Sequence, residues 1–160
     1  MIGKLIDEMI VYFGHDRKQI HHLLQVYGFA KTIGELEKLD SKTQEILELT
    51  AVIHDIGIKI SMEEYQSSVG PYQELEGPPE ARKILEKLGY NEEIIERVCY
   101  IVGHHHTYTD IQGLDYQIMV EADFLVNIKT EKYTQEAIDK IRDNIFKTNA
   151  GKQILKTIFY

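Results

Sequence analysis

The side chains with the clearest capacity for chemistry are two histidines and two aspartates that lie in apolar sequence. His54 and Asp55 end a strongly apolar segment, His22 lies upstream on an apolar helix face, and Asp123 lies within a later apolar run. A buried imidazole or carboxylate must be neutralised, hydrogen-bonded or bound to a cation, because an unpaired buried charge is costly. A metal ion shared by the four is the simplest way to meet that requirement.

The donor types limit the metals that fit. Neutral histidine nitrogen and aspartate oxygen suit borderline divalent ions such as Mn, Fe, Co, Ni or Zn. His22, the His54-Asp55 pair and Asp123 are far apart along the chain, so no single loop can form the site, and helices must bring them together. A single histidine on an apolar face is more often a hydrogen-bonded core residue, so the inference depends on the set and not on any one member.

The elements that must position these residues are helices. Apolar residues recur at helical spacing through most of the chain, and turn or capping residues separate the runs. The pattern predicts an all-α protein without strands or repeats. Predicted capping residues or boundaries are Asp16, Ser41 with Gln44, Gly89, Asn91, Thr134 and Asn149.

The segment 61–79 is the main interruption in this pattern. Helical periodicity fades there, and Pro78 and Pro79 follow several glycines, so the pattern favours a loop. Gly57, directly before this segment, is expected to let the backbone turn after His54 and Asp55.

Composition limits the class of protein. The chain has 160 residues, of which 43% are hydrophobic, enough for one compact domain. Its formal charge of −8 argues against general nucleic-acid binding, because no Lys/Arg cluster is evident. A single cysteine, Cys99, excludes an internal disulfide, and no run approaches the length of a membrane span. A soluble, cytoplasmic protein is expected; a homodimer is compatible with the sequence but has no support in it.

The ordered set His22, His54-Asp55 and Asp123, each in apolar surroundings, resembles the HD superfamily of metal-dependent phosphohydrolases. The resemblance extends from about His22 to Asn127. It implies an all-helical HD-type domain over residues 1–160, with its core at about 16–130 and C-terminal helices in 131–160. It also implies that the four residues hold one divalent metal, and that Asp55 can bridge to a second.

Further site residues follow from the same resemblance. Lys59, at the end of His54-Asp55-Ile56-Gly57-Ile58-Lys59, is similar to a lysine that faces substrate phosphate, although it could also be a solvated loop residue. His104 and His105 resemble paired histidines that bind additional metal or phosphate, although adjacent histidines can also be a surface cluster. His106 is expected to face solvent or lie in a loop.

One departure from the family pattern leaves the metal count open. Multinuclear members carry a further histidine where this chain has the segment 72–80. Glu74 or Glu76 could ligate in its place, or both could be ordinary acidic loop residues. The expected cofactor is therefore one or two divalent ions, drawn from Mn, Fe, Co, Ni, Zn or Mg.

The function implied is metal-assisted hydrolysis of a small phosphorylated molecule, such as a nucleotide or related phosphate ester. Asp55 would orient and deprotonate the attacking water, and Lys59 with His104 or His105 would hold the phosphate. Tyrosines in the variable segments could stack on a base or simply pack; these are Tyr65, Tyr72 and Tyr108.

Two other functions use the same residues. An HD-fold di-iron oxygenase would bind two irons and consume oxygen, and a non-catalytic module would use the metal for folding or ligand sensing. A non-catalytic module would need only the four metal ligands. Lys59 and the paired histidines are additional to those four, which favours an enzyme.

Overall fold

Nine α-helices form the protein, and the computed structural model, which covers residues 1–160, contains no strand. The all-α prediction is confirmed. The helices are α1 (Ile2–Phe13), α2 (Arg17–Leu36), α3 (Ser41–Ile53), α4 (Ile58–Tyr65), α5 (Gly70–Lys87), α6 (Glu92–Val102), α7 (Leu114–Thr130), α8 (Gln135–Asn144) and α9 (Asn149–Phe159).

Side-chain caps begin several of these helices. Asp16 accepts a hydrogen bond from the Gln19 backbone N–H at the start of α2, and Asn91 and Thr134 cap α6 and α8 in the same way. These caps satisfy N–H groups that have no partner inside the helix. At α3 the cap is Asp40, not Ser41, because the Asp40 carboxylate accepts from two backbone N–H groups of the first turn.

Three helices form the centre of the bundle. α2 packs against both α3 and α7, and α3 also contacts α7 and α6. α7 is buried along most of its length, because it is covered by α2, α3 and α9. The hydrophobic core therefore lies where α2, α3 and α7 meet, and each of these helices carries or leads into a predicted metal ligand. No helix combines the length and apolar character that crossing a membrane requires.

The loop predicted for 61–79 is wrong. Residues 58–65 form α4, and α5 runs from Gly70 through Pro78 and Pro79 to Lys87. Two prolines inside a helix remove two backbone hydrogen bonds and disfavour the preceding turn. α5 nevertheless persists because it packs against α4 on one side and α6 on the other. This tertiary packing outweighs the weak local pattern.

Gly57 allows close contact between helices rather than an unusual turn. Its φ of −71° is one that any residue can adopt. A Cβ atom at this position would lie 2.6 Å from the Gly77 backbone nitrogen and 2.7 Å from the Gln73 carbonyl oxygen. The start of α4 thus contacts the α5 backbone directly, which a larger residue at 57 would prevent.

A buried carboxylate holds α9 to α7. Glu121 is fully buried and accepts hydrogen bonds from the backbone N–H groups of Lys147 and Thr148, at 2.7 and 2.9 Å, and from the Gln117 side chain at 2.9 Å. The Thr148 hydroxyl also donates to Glu121 and caps α9, so the cap lies one residue before the predicted Asn149. These bonds fix the α8–α9 connection.

Candidate metal centre

The predicted ligands converge on one point in the core. His22 comes from α2, Asp123 from α7, and His54 and Asp55 from the turn that follows α3. His105, in the turn after α6, reaches the same group. All but His22 are buried, and His22 is only slightly exposed. Because α2, α3 and α7 pack on one another, residues about 30 to 100 positions apart along the chain become neighbours.

The distances within the group are short. His22 Nε2 lies 3.2 Å from Asp55 Oδ2, 3.2 Å from Asp123 Oδ1 and 3.3 Å from His54 Nε2. His54 Nε2 lies 3.5 Å from Asp123 Oδ1 and 3.6 Å from Asp55 Oδ2. Ligand atoms around one tetrahedral ion with bonds of ~2.1 Å are roughly 3.4 Å apart. The donor types and their spacing therefore fit a divalent metal.

A second group of ligand atoms shares residues with the first. His105 Nε2 lies 3.2 Å from Asp55 Oδ1, the oxygen that faces away from His22. His54, Asp55 and His105 have ligand atoms within 4.8 Å of one another, as do His22, His54 and Asp123. Asp55 thus directs one oxygen to each group, which is the arrangement a bridging carboxylate requires.

Backbone carbonyls orient two of the histidines. His54 Nδ1 lies 2.9 Å from the Ala51 carbonyl oxygen, and His105 Nδ1 lies 2.8 Å from that of Val102. A carbonyl can only accept, so Nδ1 must carry the proton in both rings. Nε2 then faces the carboxylates and can donate a lone pair to a metal when the ring is neutral.

Two amides orient the carboxylates in the same way. Gln19 Nε2 donates to Asp55 Oδ2 at 2.9 Å, and Asn127 Nδ2 donates to Asp123 Oδ1 at 3.0 Å. The sequence contained a clue to both, because Gln19 is three residues before His22 and Asn127 four after Asp123 on the same helices. Such spacings place two side chains on one helix face. Neither amide was singled out from the sequence.

The pKa values indicate that the cluster stabilises positive charge. Burial by itself lowers the pKa of His22, but hydrogen bonds to Asp123 and Asp55 outweigh it and raise that pKa to about 10. Burial raises the pKa of Asp55, yet the nearby charge of His54 and the hydrogen bond from His105 hold it well below its usual range. Burial likewise opposes ionisation of Asp123, and its hydrogen bonds with the two histidines lower its pKa. Two ionised carboxylates at one buried point are suited to a cation.

A polar pocket of about 670 Å³ opens onto this cluster. His22, Asp55 and Asp123 line it, and only two of its seventeen lining residues are hydrophobic. A pocket of this size and polarity suits a small polar ligand better than an apolar one. Its other polar lining residues include Lys18, Gln19, His21, Gln73, His106, Asn127 and Glu131.

Two of the predicted catalytic residues are not brought to the cluster. Lys59 Nζ donates to the Tyr12 carbonyl oxygen at 3.1 Å and lies 5.0 Å from the centre of the Tyr12 ring, on the α1 side of α4. His104 stacks on Tyr100, and its Nδ1 lies 2.6 Å from the Tyr100 carbonyl oxygen. Neither lines the pocket. Of the paired histidines, His105 alone reaches the cluster.

The acidic candidates Glu74 and Glu76 have other partners. Glu74 accepts hydrogen bonds from the His106 backbone N–H and the Thr107 hydroxyl, and Glu76 accepts one from the Tyr65 hydroxyl. Neither appears among the groups of ligand atoms or in the pocket lining. The glutamates instead hold the loop after α6 and the end of α4.

Gln73 and His106 form the wall of the pocket beside the cluster. Gln73 Oε1 lies 3.1 Å from His106 Nε2, and both residues line the pocket. Gln73 falls in the segment where multinuclear relatives were expected to carry a histidine. Burial lowers the pKa of His106 to about 4, so its ring is neutral near pH 7. His106 was expected to face solvent or lie in a loop. It does lie in the turn after α6, but its ring lines the pocket, where it contacts Gln73 in the part of α5 that was predicted as a loop.

The tyrosines considered for base stacking pack elsewhere. The rings of Tyr65 and Tyr72 stack on each other with their centroids 4.2 Å apart. The Tyr108 ring packs against the Phe124 ring, with a centroid separation of 5.1 Å. None of the three lines the pocket.

The fold and the cluster define a helical domain with a candidate metal site in its core. A family model described as the HD domain matches residues 20–147, so the chain belongs to the HD domain family. The match includes all four principal candidate ligands, and membership suggests a hydrolase-type protein that depends on a divalent metal. No curated protein and no solved structure gives a significant match.

Proposed function

We propose that the protein is a phosphohydrolase that acts on a small phosphorylated molecule, such as a nucleotide or related phosphate ester, with the help of a divalent metal. The observation that carries the proposal is the convergence of His22, His54, Asp55 and Asp123 at the base of the 670 Å³ polar pocket. A substrate in that pocket would lie directly against the cluster.

The chain has enough candidate ligands for one metal ion and some of those that a second ion would need. His22, His54, Asp55 and Asp123 would hold the first, and His105 with His54 and Asp55 could hold another. A site with two histidine nitrogens and two aspartate carboxylates favours Mn, Fe, Co, Ni or Zn over Mg, because Mg prefers oxygen ligands alone. When bound, such an ion makes water a better nucleophile at neutral pH and polarises a phosphoryl oxygen.

Asp55 is the residue we assign to the attacking water. Its two carboxylate oxygens face different histidines, and Gln19 fixes the orientation of the group. Asp55 would orient the water for in-line attack on phosphorus and accept its proton. Gln19 and Asn127 would keep the carboxylates in place during turnover.

Lys18 replaces Lys59 as our candidate for binding substrate phosphate. Lys18 lines the pocket, and no carboxylate lies within 4 Å of its ammonium group, whereas Lys59 is directed to Tyr12. A cation at the pocket can stabilise the negative charge of phosphoryl oxygens. The neutral His106 ring would contribute a hydrogen bond rather than a charge.

The first test combines metal analysis with a phosphate-release screen. Protein purified without chelator is analysed for metal and assayed on a panel of nucleotides with added Mn, Co, Ni or Mg. We expect stoichiometric metal and release of phosphate; Asp123→Ala should lose both. Absence of metal under every condition would refute the assignment of the cluster.

Two lysine variants form a matched pair for the substrate assignment. Lys18→Ala and Lys59→Ala each remove one exposed ammonium group, but only Lys18 lines the pocket. We expect Lys18→Ala to lower kcat/KM by about tenfold or more at unchanged metal content, and Lys59→Ala to have little effect. The reverse result would restore Lys59 to the phosphate site.

A di-iron oxygenase is the second candidate function, because the second group of ligand atoms could hold another iron. His54, Asp55 and His105 could take a second iron beside the first. Two irons per chain, oxygen-dependent turnover and no phosphate release would select that function. Bound metal with neither activity would indicate a non-catalytic module.

A further inference from the structure

A second cavity, of about 530 Å³, lies between the end of α8 and α9. It shares no lining residue with the pocket over the metal cluster. Its seven lining residues are predominantly basic, with two aromatic side chains: Arg142, Asp143, Phe146, Lys147, Lys152, Lys156 and Tyr160.

Positive charge is concentrated around this cavity in an otherwise acidic protein. Residues 142–160 contain four basic and one acidic side chain, a net charge of +3, whereas residues 1–141 contain fourteen basic and twenty-five acidic ones, a net charge of −11. The formal charge of the segment that lines the cavity is therefore opposite in sign to that of the rest of the chain. An anion would be attracted to this one region.

The three lysines of the cavity have no acidic partners. No carboxylate lies within 4 Å of the ammonium groups of Lys147, Lys152 or Lys156, whereas many other basic residues of the protein are paired. Arg142 is also paired, with Asp143 at 2.7 Å and Asp139 at 3.5 Å. The lysine charges are thus available to a ligand.

Helical spacing keeps two of these lysines on one face. Lys152 and Lys156 are four residues apart on α9, so they are neighbours on its surface. Like charges at this spacing repel and slightly destabilise a helix. A bound anion would remove the repulsion.

The cavity also has an aromatic side, and hydrogen bonds hold part of its backbone in place. The Arg142 guanidinium lies 5.3 Å from the centre of the Tyr160 ring and donates to its hydroxyl at 3.1 Å, and Phe146 is 1% exposed. The backbone of Lys147 and Thr148 is held by the buried Glu121 carboxylate. A ligand would therefore meet a partly preorganised surface, which reduces the entropy lost on binding.

We propose that this cavity binds a small organic phosphate of the mononucleotide class. The three lysines would hold the phosphate groups, and the exposed Tyr160 ring would contact the base. The volume is within the range of small-ligand sites. This site is separate from the metal cluster, so the proposal does not depend on the phosphohydrolase activity.

Calorimetric titration of the full chain with ADP, in chelator so that no metal contributes, tests the proposal. We expect binding that the double variant Lys152→Ala/Lys156→Ala weakens at least about tenfold. The control Lys83→Ala/Lys140→Ala removes two exposed lysines that are paired with glutamates, and it should bind as the parent does.

Parallel titrations with pyrophosphate, adenosine, single-stranded DNA and anionic vesicles identify the ligand class. ADP binding tighter than that of pyrophosphate and of adenosine supports a site that uses both the phosphate and the base. No ADP binding at millimolar concentration, or equal loss in the control double variant, overturns the proposal. DNA or vesicle binding that exceeds ADP binding would also overturn it, since the region would then be a general polyanion surface.

Discussion

Replacing Gly57 with alanine should separate α4 from α5 and impair catalysis without removing the metal. The added methyl group would lie 2.6 Å from the Gly77 nitrogen and 2.7 Å from the Gln73 oxygen, both backbone atoms. Ordinary contact begins near 3.4 Å, so the two backbones must move apart by about 0.8 Å. Overpacking of this kind costs about 1–3 kcal/mol.

The expected effects are large enough to measure. A loss of about 1–3 kcal/mol lowers the unfolding midpoint of a protein of this size by roughly 2–12 °C. Gln73 lies in the displaced segment and lines the pocket, so turnover should fall by up to about a hundredfold, as a misplacement approaching 1 Å can cause. His54 and Asp55 precede the altered residue, so the metal content should remain close to that of the parent protein.

Gly28→Ala is the matched control for this substitution. Gly28 lies on the exposed side of α2, and nothing lies within 4 Å of a Cβ atom added there. Alanine should raise stability by about 0.5–1 kcal/mol, because it is the better helix former. Thermal unfolding of both variants, followed by circular dichroism, gives the comparison. A Gly57→Ala protein that melts at the parental temperature would refute the close contact between α4 and α5.

Three further predictions concern residues around the core. Asn127→Ala should weaken metal binding by about 10- to 100-fold, because Asp123 loses its orienting amide; competition with a chelator measures this, and an unchanged affinity would contradict the role. Glu121→Ala should lower the free energy of unfolding by about 2–4 kcal/mol, since several buried donors lose their acceptor, with metal content retained; urea unfolding and metal analysis check both parts. Burial raises the pKa of Cys99 to about 11, so roughly one Cys99 thiol in a thousand is ionised at pH 8. A thiol reagent should therefore react with Cys99 about a hundredfold faster in the denatured protein than in the folded one. Equal reaction rates in the two states would show that Cys99 is accessible in the folded protein.

The central ligands could be predicted from sequence because burial makes an ionisable residue conspicuous. His54, Asp55 and Asp123 interrupt apolar runs whose helical character was clear, and in the structure their side chains lie together in one buried cluster. Lys59 illustrates the limit of this reasoning. An exposed lysine can turn to either side of its helix, and the carbonyl and ring of Tyr12, 47 residues away along the chain, determine which side it takes.

The region between the His-Asp pair and α6 could not be predicted because its helices depend on tertiary packing. Pro78 and Pro79 argue locally against a helix, and only the packing of α5 on α4 and α6 overrides them. Since residues 70–79 of α5 were predicted as a loop, the positions of Gln73 and His106 on the pocket wall were missed as well. The glutamates that seemed suitable ligands, Glu74 and Glu76, lie on other faces of the same helix and contact neighbouring segments.

The position of the His-Asp pair at the end of α3 has a geometric explanation. Neighbouring residues in an α-helix differ by about 100° in direction, so they cannot both face one point from within a regular helix. α3 ends at Ile53, and residues 54–57 form a turn, in which His54 Nε2 and Asp55 Oδ2 come within 3.6 Å of each other. Gly57, the last residue of this turn, then packs directly against the α5 backbone. The same turn therefore brings two adjacent candidate ligands together and sets the distance to the pocket wall, which is why a change at Gly57 is expected to affect turnover more than metal content.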